Sequence, residues 1–196
     1  MRPTAVRLTT KSAVIDGDYR YILTRSWEPS PVRNLGCVAW IMLNPSTADA
    51  EKDDPTLIRC IDYSQALGFT SLSVTNLFAY RESYSNKLHS VEKPIGDNND
   101  QWIISAAQKA DFVVVAWGNS GMYLHRNDEV ERLLGNLVIP LHALAVTKYG
   151  QPCHPLYLKP DLSPVALDTL RRGVLNEAQY ESYVKRGRRL CGAKES

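Results

Sequence analysis

The sequence lacks several features that define common protein classes. It has no run of 18 or more apolar residues, so a membrane-spanning helix is excluded. The start, from Met1 to Thr4, lacks the apolar stretch of a signal peptide, and we therefore expect a cytoplasmic protein without a membrane partner. The patterns G-x-x-x-x-G-K, G-x-G-x-x-G and G-x-S-x-G are also missing. Their absence disfavours ATP hydrolysis, dinucleotide redox chemistry and serine esterase activity.

Cysteine is scarce and widely spaced. No C-x-x-C pair occurs, so a zinc site or an iron–sulfur cluster built on thiolates is disfavoured, and in a reducing compartment we expect free thiols. Cys153 lies beside His154 and could be a nucleophile, but a small core residue is the favoured interpretation. The four cysteines are Cys37, Cys60, Cys153 and Cys191.

The net charge is only +2, which argues against a strongly basic nucleic-acid-binding protein. The charge is uneven, however, because the end of the chain from Val184 to Ser196 is rich in basic residues. Such a tail could contact the phosphates of DNA, or it could be a solvated end that maintains solubility. The basic residues are Lys185, Arg186, Arg188, Arg189 and Lys194.

The 196 residues, 44% of them hydrophobic, fit one globular domain with a real core. We expect a hairpin and loop in residues 1–36, a core in residues 37–184 and a basic tail in residues 185–196. Two short strands, residues 13–15 and 19–24, flank a turn at Asp16-Gly17 and predict the hairpin.

Four apolar runs in the core predict buried strands. They lie at residues 38–43, 72–75, 112–117 and 141–146. Helical patterns fall between them at residues 55–67, 102–110 and 123–134, and two more follow at 165–171 and 177–184. Alternation of strands and helices predicts a three-layer α/β/α domain with a mainly parallel, four-stranded central sheet, plus the N-terminal β-hairpin.

Polar groups follow each predicted core strand. In parallel α/β sheets, ligands bind outside the carboxyl ends of the strands, so these segments are expected to converge on one site. The long polar segment at residues 81–100 is a further candidate site loop. The candidate site residues are Asn44, Pro45, Ser46, Asn76, Phe78, Trp117, Asn119, Lys148 and His154.

Three of these candidates could carry recognition or chemistry. Asn44, stiffened by the proline after it, could fix a water or a ligand carbonyl, or it could simply bond its own backbone in a turn. Asn76 could read the edge of a nucleobase or form a turn. His154, held between two prolines, could donate to an anion or a base oxygen, or it could be a structural loop histidine.

The other candidates offer stacking and charge. Phe78 and Trp117, with Tyr80 and Tyr84, could supply a stacking face, although most aromatic residues belong to the core. Lys148 could contact phosphate.

A cluster of carboxylates lies between residues 49 and 54. Asp49, Glu51, Asp53 and Asp54 could bind a divalent cation through oxygen ligands. Capping of the helix that follows explains them more simply. We therefore expect neither a metal nor a cofactor.

Several segments resemble a bacterial and phage family known only as domain of unknown function 1643. The similarity covers most of the chain and includes the short runs Asp54-Pro55-Thr56 and Ala116-Trp117-Gly118-Asn119. The longer segments that carry it are residues 42–49, 75–81 and 150–157. This resemblance names a family and implies no particular activity.

The order of the short motifs is also similar to that of the uracil-DNA glycosylase superfamily. Asn44-Pro45 lies where that superfamily has a water-orienting residue, and Asn76 lies where an asparagine reads the base. Trp117-Gly118 resembles its Trp-Gly strand end. His154-Pro155 matches a late loop whose histidine stabilises the departing base anion. The resemblance implies a glycosylase-like fold.

Two departures bear on this resemblance. Leu43 precedes Asn44, where the superfamily has glycine, or glutamine next to a glycine. Leu156 and Tyr157 follow His154-Pro155 in place of a serine-rich loop that wedges the strands apart. The missing serine-rich loop weakens the expectation of duplex DNA binding more than the expectation of base recognition.

Two functions therefore remain open. The first is an N-glycosidase or related hydrolase acting on a base in DNA or in a nucleotide, with Asn44 and His154 as catalytic residues. The second is a non-catalytic protein that binds a nucleotide or a signalling molecule, as in phage–host conflict. A protein-interaction module is a third and weaker alternative.

Overall fold

The computed structural model describes residues 8–29 and 34–182. Its strands and helices alternate along most of the chain, with short 3-10 segments at Ser85–Ser90, Asn119–His125 and Pro155–Tyr157. The elements are β1 (Leu8–Asp16), β2 (Tyr19–Trp27), β3 (Cys37–Met42), α1 (Pro55–Leu67), β4 (Ser71–Asn76), α2 (Asn99–Lys109), β5 (Phe112–Ala116), α3 (Arg126–Asn136), β6 (His142–Ala143), β7 (Val165–Ala166) and α4 (Leu167–Val174).

The strands form one mixed sheet in the order β1-β2-β4-β3-β5-β6-β7. The four central strands, β4, β3, β5 and β6, are mutually parallel, as predicted. The N-terminal hairpin is also confirmed. It belongs to the same sheet, because β2 pairs antiparallel with β4, and β7 adds a second antiparallel edge beside β6.

The central strands are covered on both faces. Along β3, Trp40 and Met42 pack into the cluster that contains the buried face of α1. Ala39 and Ile41 point to the opposite side, into a second cluster formed with α2 and α3. Burial on both sides explains why the β3 sequence is a continuous apolar run, since successive side chains in a strand face opposite directions.

Helix α1 has the bounds that its sequence predicts. The side chain of Asp54 accepts a hydrogen bond from the backbone N–H of Leu57, and Pro55 occupies the first turn. Gly68 ends the helix in the left-handed conformation, with φ of 96°. Because α1 follows β3, its N-terminus lies near the carboxyl edge of the parallel strands.

The predicted fourth core strand is much shorter than expected. We predicted residues 141–146, but β6 comprises only His142 and Ala143. The following residues bond to their own loop, since Cys153 N donates to Ala145 O and Thr147 N donates to Gln151 O. This local pairing withdraws residues 145–147 from the sheet, although their sequence is apolar.

Two helix predictions are also corrected. The segment from Tyr123 was expected to be helical, but Leu124 and His125 have positive φ angles that interrupt it, so α3 begins at Arg126. Residues 165 and 166 form β7 rather than the first turn of a helix. Of the predicted helix at 177–184, residues 177–182 are helical; residues 183–184, the basic tail and Cys191 lie outside the described residues.

The thiol groups of Cys37, Cys60 and Cys153 are free. Burial raises the pKa of both Cys60 and Cys153, which keeps these thiols protonated at neutral pH. The core interpretation of Cys153 is therefore favoured over that of a nucleophile. In the described part of the chain, no helix has the length and apolar character needed to cross a membrane.

An ion pair between the buried Arg25 and the partly exposed Asp53 fixes the loop before α1 to the hairpin. The fully buried Arg25 side chain donates to Asp53 Oδ1 from two nitrogens, at 2.8 and 2.7 Å, and to the carbonyl oxygens of Thr24 and Asp49. Lys11 Nζ approaches the same carboxylate at 3.6 Å but is partly exposed. These contacts, together with the capping hydrogen bonds accepted by Asp49 and Asp54, give structural roles to three of the four carboxylates that sequence alone left open to metal binding.

We predict that Arg25→Met lowers the free energy of unfolding by about 3 kcal/mol, because a partly buried carboxylate keeps only the exposed Lys11 as a partner and the carbonyls of Thr24 and Asp49 lose the guanidinium donor. Lys11→Met removes an exposed partner of the same carboxylate and should cost less than about 1 kcal/mol. Urea denaturation of both variants measures the difference. Equal effects would contradict the role given to Arg25.

Candidate functional site

A cavity of about 420 Å³ opens at the carboxyl edge of the parallel strands, on the α1 side of the sheet. Its floor includes Met42 and Val74 at the ends of β3 and β4, and its wall includes Leu57 and Cys60 of α1. We call it the strand-end cavity. The polar residues that line it are Arg20, Asn44, Ser46, Asp54, Thr56, Asn76, Glu82, Ser83, Asn119, Ser120 and His154.

The structure brings six of the nine candidate residues to this cavity. They come from four separate segments of the chain, each of which follows a core strand. Asn44, Asn76 and His154, far apart in sequence, therefore border one space. The six residues are Asn44, Ser46, Asn76, Trp117, Asn119 and His154.

The other three candidates lie elsewhere. Phe78 is fully buried in the cluster on the opposite face of the sheet, packed against Tyr123. Lys148 borders a separate surface depression, with its ammonium 5.0 Å from the ring centroid of Tyr149. Pro45 contributes its carbonyl to the loop, where it accepts hydrogen bonds from Glu82 N and from the Asn44 side chain.

Asn76 is the last residue of β4 and is only 1% exposed. It lies on the same face of the strand as Leu72 and Val74, because side chains alternate along β4. No described residue accepts a hydrogen bond from its Nδ2. A buried donor without an acceptor is costly, so this amide is a candidate to donate to a ligand acceptor.

The backbone around Asn76 is fixed from the other side of the sheet. Asn99 Nδ2 donates to both Asn76 O and Leu77 O, each at 2.9 Å. Arg126 Nε also donates to Leu77 O at 2.9 Å, and its guanidinium pairs with Asp100 and Glu129. These buried contacts satisfy the carbonyl groups at the end of β4 and hold the Asn76 side chain in place.

The Asn44 amide is engaged within the protein. Its Nδ2 donates to the carbonyl oxygens of Pro45 and Glu82, which connects the turn after β3 to the loop after β4. Both hydrogens of the amide are therefore used. Only its oxygen is left to act on a water or a ligand, so the geometry favours a mainly structural role.

His154 is half-buried at the cavity wall. Its Nδ1 accepts a hydrogen bond from the backbone N–H of Leu156 at 3.3 Å. In the neutral ring the proton must then reside on Nε2, which becomes a hydrogen-bond donor. Burial lowers the pKa of His154, against the opposing influence of Asp54, so the neutral form predominates at pH 7.

Trp117 and the His154 loop are joined by direct hydrogen bonds. Trp117 Nε1 donates to Gln151 Oε1 at 3.0 Å, and Gly118 N donates to Pro152 O at 2.7 Å. Gly118 adopts φ of 67° and ψ of −171°, a conformation essentially limited to glycine. The end of β5 therefore determines where the histidine loop lies.

Arg20 is a lining residue that sequence reasoning missed. Residues three apart on a regular strand, such as Arg20 and Leu23, face opposite sides of a sheet. The pairing register shifts between Val14 and Ile15, which leaves Tyr21 as an extra residue in β2. This β-bulge returns Arg20 to the face of Leu23, and both line the cavity. No local sequence signal marks the bulge.

Asp54 was interpreted as a helix cap or a ligand for a divalent cation, and it also lines the cavity. Its Oδ1 accepts a hydrogen bond from the N–H of Leu57. Burial lowers the pKa of Arg20, and the charge of Asp54 opposes this, so that the pKa lies at about 10. Glu82 supplies a second carboxylate in the lining. One cation therefore faces two anions. Across residues 8–29 and 34–182, no cluster of three or more typical ligands could hold a metal ion.

We predict that the folded state loses stability as the pH falls through about 6.5, the ordinary pKa of histidine. Because the pKa of His154 is lower in the folded chain, the unfolded chain binds more protons below that pH. Urea denaturation at about pH 7.5 and about pH 5.5 measures the free energy of unfolding. Between these two pH values it should fall less for His154→Gln than for the wild type. An NMR titration giving a His154 pKa above 6.5 would contradict this prediction.

Comparison with known proteins identifies one family. The model of the family described as "Protein of unknown function (DUF1643)" matches residues 20–156, a span that includes Arg20, Asn44, Asn76 and His154. No curated protein matches the chain. No solved structure matches it either.

Proposed function

We propose that this chain, which belongs to the DUF1643 family, binds a nucleobase in the strand-end cavity. The observation that carries the proposal is the Asn76 amide, which is buried at the cavity wall and has no described acceptor for Nδ2. A carboxamide offers both a donor and an acceptor, which matches the polar edge of a base.

His154 supplies the second recognition group. A neutral imidazole with its proton on Nε2 can donate to a carbonyl oxygen of the ligand. The imidazole and the Asn76 amide come from different loops, so together they could define the orientation of a planar ligand. Their position at the carboxyl edge of a parallel sheet is the usual ligand position in such folds.

The size and shape of the cavity support a small-molecule ligand. Its volume of about 420 Å³ lies within the range typical of ligand pockets. Apolar walls from Met42, Val74 and Trp117 surround the polar groups, as expected for a heterocycle that must be both desolvated and oriented. A concave site of this kind favours ligand binding over a protein-interaction module.

A second candidate function is hydrolysis of the bond between the base and its sugar. Asp54 lines the same cavity as His154, and a carboxylate and a neutral imidazole could assist the attacking water and the departing base. The Asn44 amide is already engaged, so Asp54 is the better candidate to act on water. The motif order along one sheet edge supports a uracil-DNA glycosylase-like relationship.

We predict that at least one free nucleobase or nucleoside binds with a stoichiometry of one. Asn76→Ala should weaken that binding by about tenfold or more, because a buried hydrogen bond is lost. Thr75→Val is the matched control, since the Thr75 side chain lies on the opposite face of β4 and has no hydrogen-bond partner among the described residues. Calorimetry measures both variants.

Two results would contradict this proposal. The proposal is wrong if calorimetry detects no binding of any nucleobase or nucleoside. It is also wrong if the Asn76→Ala and Thr75→Val variants lose affinity equally, because the effect would then reflect packing of β4 and not contact with the ligand.

Hydrolysis is tested by measuring base release from single-stranded DNA that contains modified bases and from nucleosides. Asp54→Asn should abolish release but retain binding, because asparagine also caps helices well and preserves the N-terminus of α1. If every ligand that binds the wild-type protein is recovered unchanged after incubation, the protein is better described as a non-catalytic binding protein.

A further inference from the structure

We propose that the ligand of the strand-end cavity is a free nucleoside, whose sugar is bound by Glu82 at the rim, and that the cavity excludes nucleotides and nucleic acids. This inference rests on the proposed binding of a nucleobase and narrows the class of ligand. It gives a role to Glu82, which neither the sequence motifs nor the family description singles out.

The strand-end cavity has a buried end and an exposed rim. Asn76 and Trp117 at the buried end are 1% and 2% exposed. The rim includes the exposed residues Ser83, Asn119 and Ser120. A volume of about 420 Å³ is that of a site for a drug-sized ligand and exceeds what one base ring fills. A base at the Asn76 amide would therefore leave room toward the rim for the group attached to it.

The rim offers hydroxyl groups, an amide and the half-buried carboxylate of Glu82. The Oε1 of Glu82 accepts a hydrogen bond from Tyr84 N at 2.9 Å, and its carbonyl oxygen accepts from the Asn44 amide. These bonds fix Glu82 at the rim. A carboxylate has lone pairs for about four hydrogen bonds, so this one can also accept from a sugar hydroxyl, as acidic residues do for ribose in dinucleotide sites.

The position where a phosphate would be expected is already filled. Helix N-termini bind phosphate groups through backbone N–H groups that have no partner within the helix, and α1 begins at the cavity wall. In this helix Asp54 Oδ1 accepts from Leu57 N at 2.8 Å, and Pro55 has no N–H to offer. The carboxylate of Asp54 therefore takes the place of a ligand anion.

The charged side chains of the lining also disfavour a phosphate. Arg20 is the one lysine or arginine among the described residues that border the cavity; it is 4% exposed, and its Nη1 donates to Ala48 O at 2.6 Å. Burial lowers the pKa of His154, which is therefore neutral at pH 7. A phosphate would face the carboxylates of Asp54 and Glu82 without an accessible cation, whereas a neutral nucleoside would not be repelled.

Nucleic acids are disfavoured for the same reason. Their binding depends on lysine and arginine contacts to successive phosphates. A rim that presents hydroxyl groups, an amide and a carboxylate supplies no such contacts, and the base of a nucleotide within a strand could enter the cavity only with its phosphates at this rim.

Calorimetry tests the class of ligand with adenosine, cytidine, inosine and uridine, their free bases and their 5′-monophosphates. A short single-stranded DNA oligonucleotide is the fourth probe. For the base that binds best, we expect the nucleoside to bind at least about tenfold more tightly than the free base and the monophosphate, because it gains a charge-assisted hydrogen bond and avoids repulsion.

Glu82→Gln separates the sugar contact from the rest of the site. Glutamine keeps an acceptor for Tyr84 N but lacks the charge, so nucleoside binding should weaken several-fold while binding of the free base is unchanged. The difference in affinity between nucleoside and monophosphate should become smaller. Glu92→Gln is the matched control, since Glu92 is exposed and is not among the described residues that line the cavity.

A measurement on the wild-type protein avoids dependence on folding of the variant. Salt screens repulsion between a phosphate and the carboxylates, so raising NaCl from about 0.05 M to about 0.5 M should strengthen binding of the monophosphate and leave binding of the nucleoside unchanged. Weaker binding of the monophosphate at high salt would show attraction to a cation and would contradict the inference.

The outcomes separate this inference from the proposal on which it depends. The inference is overturned, and base binding stands, if the monophosphate, the oligonucleotide or the free base binds as tightly as the nucleoside. Equal losses of base and nucleoside affinity in Glu82→Gln overturn it as well. If no base and no nucleoside binds, the proposed function fails and the inference fails with it.

Discussion

The candidate site depends on the hydrogen bonds that fix the backbone at the end of β4. The carbonyl groups of Asn76 and Leu77 are satisfied from the opposite face of the sheet by Asn99 and Arg126, two side chains that are themselves buried. The backbone at this point is therefore rigid and fully bonded on one side. The Asn76 side chain faces the other side, where its amide has no described acceptor. What distinguishes Asn76 from other buried polar groups without partners, such as Thr75, is that Asn76 also lines the strand-end cavity.

The other residues that line the cavity are positioned by elements at the same edge of the sheet. The β5 end directs the histidine loop through Gly118 and Trp117, and the α1 N-terminus brings Asp54 to the wall. Hydrogen bonds made by backbone groups and by buried side chains determine these positions. The arrangement contains a neutral imidazole, a buried guanidinium and two carboxylates, so recognition of an uncharged polar ring fits its balance of charge better than recognition of a free phosphate.

Much of this edge could be predicted from sequence, because apolar runs and helix caps depend on local residue types. The bounds of α1 follow from Asp54, Pro55 and Gly68, and strand-end residues such as Asn76 follow from the run before them. The exceptions depend on pairing and packing that the residue types alone do not reveal. Residues 145–147 pair with their own loop, Phe78 turns to the opposite core, and Arg20 reaches the cavity only because Tyr21 is bulged. No pattern of neighbouring residues encodes those three outcomes.

The central claim is that Asn76 and His154 bind one ligand in one cavity, and NMR titration with uracil or hypoxanthine tests it most directly. The account predicts that the side-chain amide resonance of Asn76 and the Hε2 resonance of His154 shift together and saturate at the same ligand concentration. Shifts confined to residues around Lys148 and Tyr149, with both resonances unchanged, would place the ligand in the separate surface depression and would contradict the account.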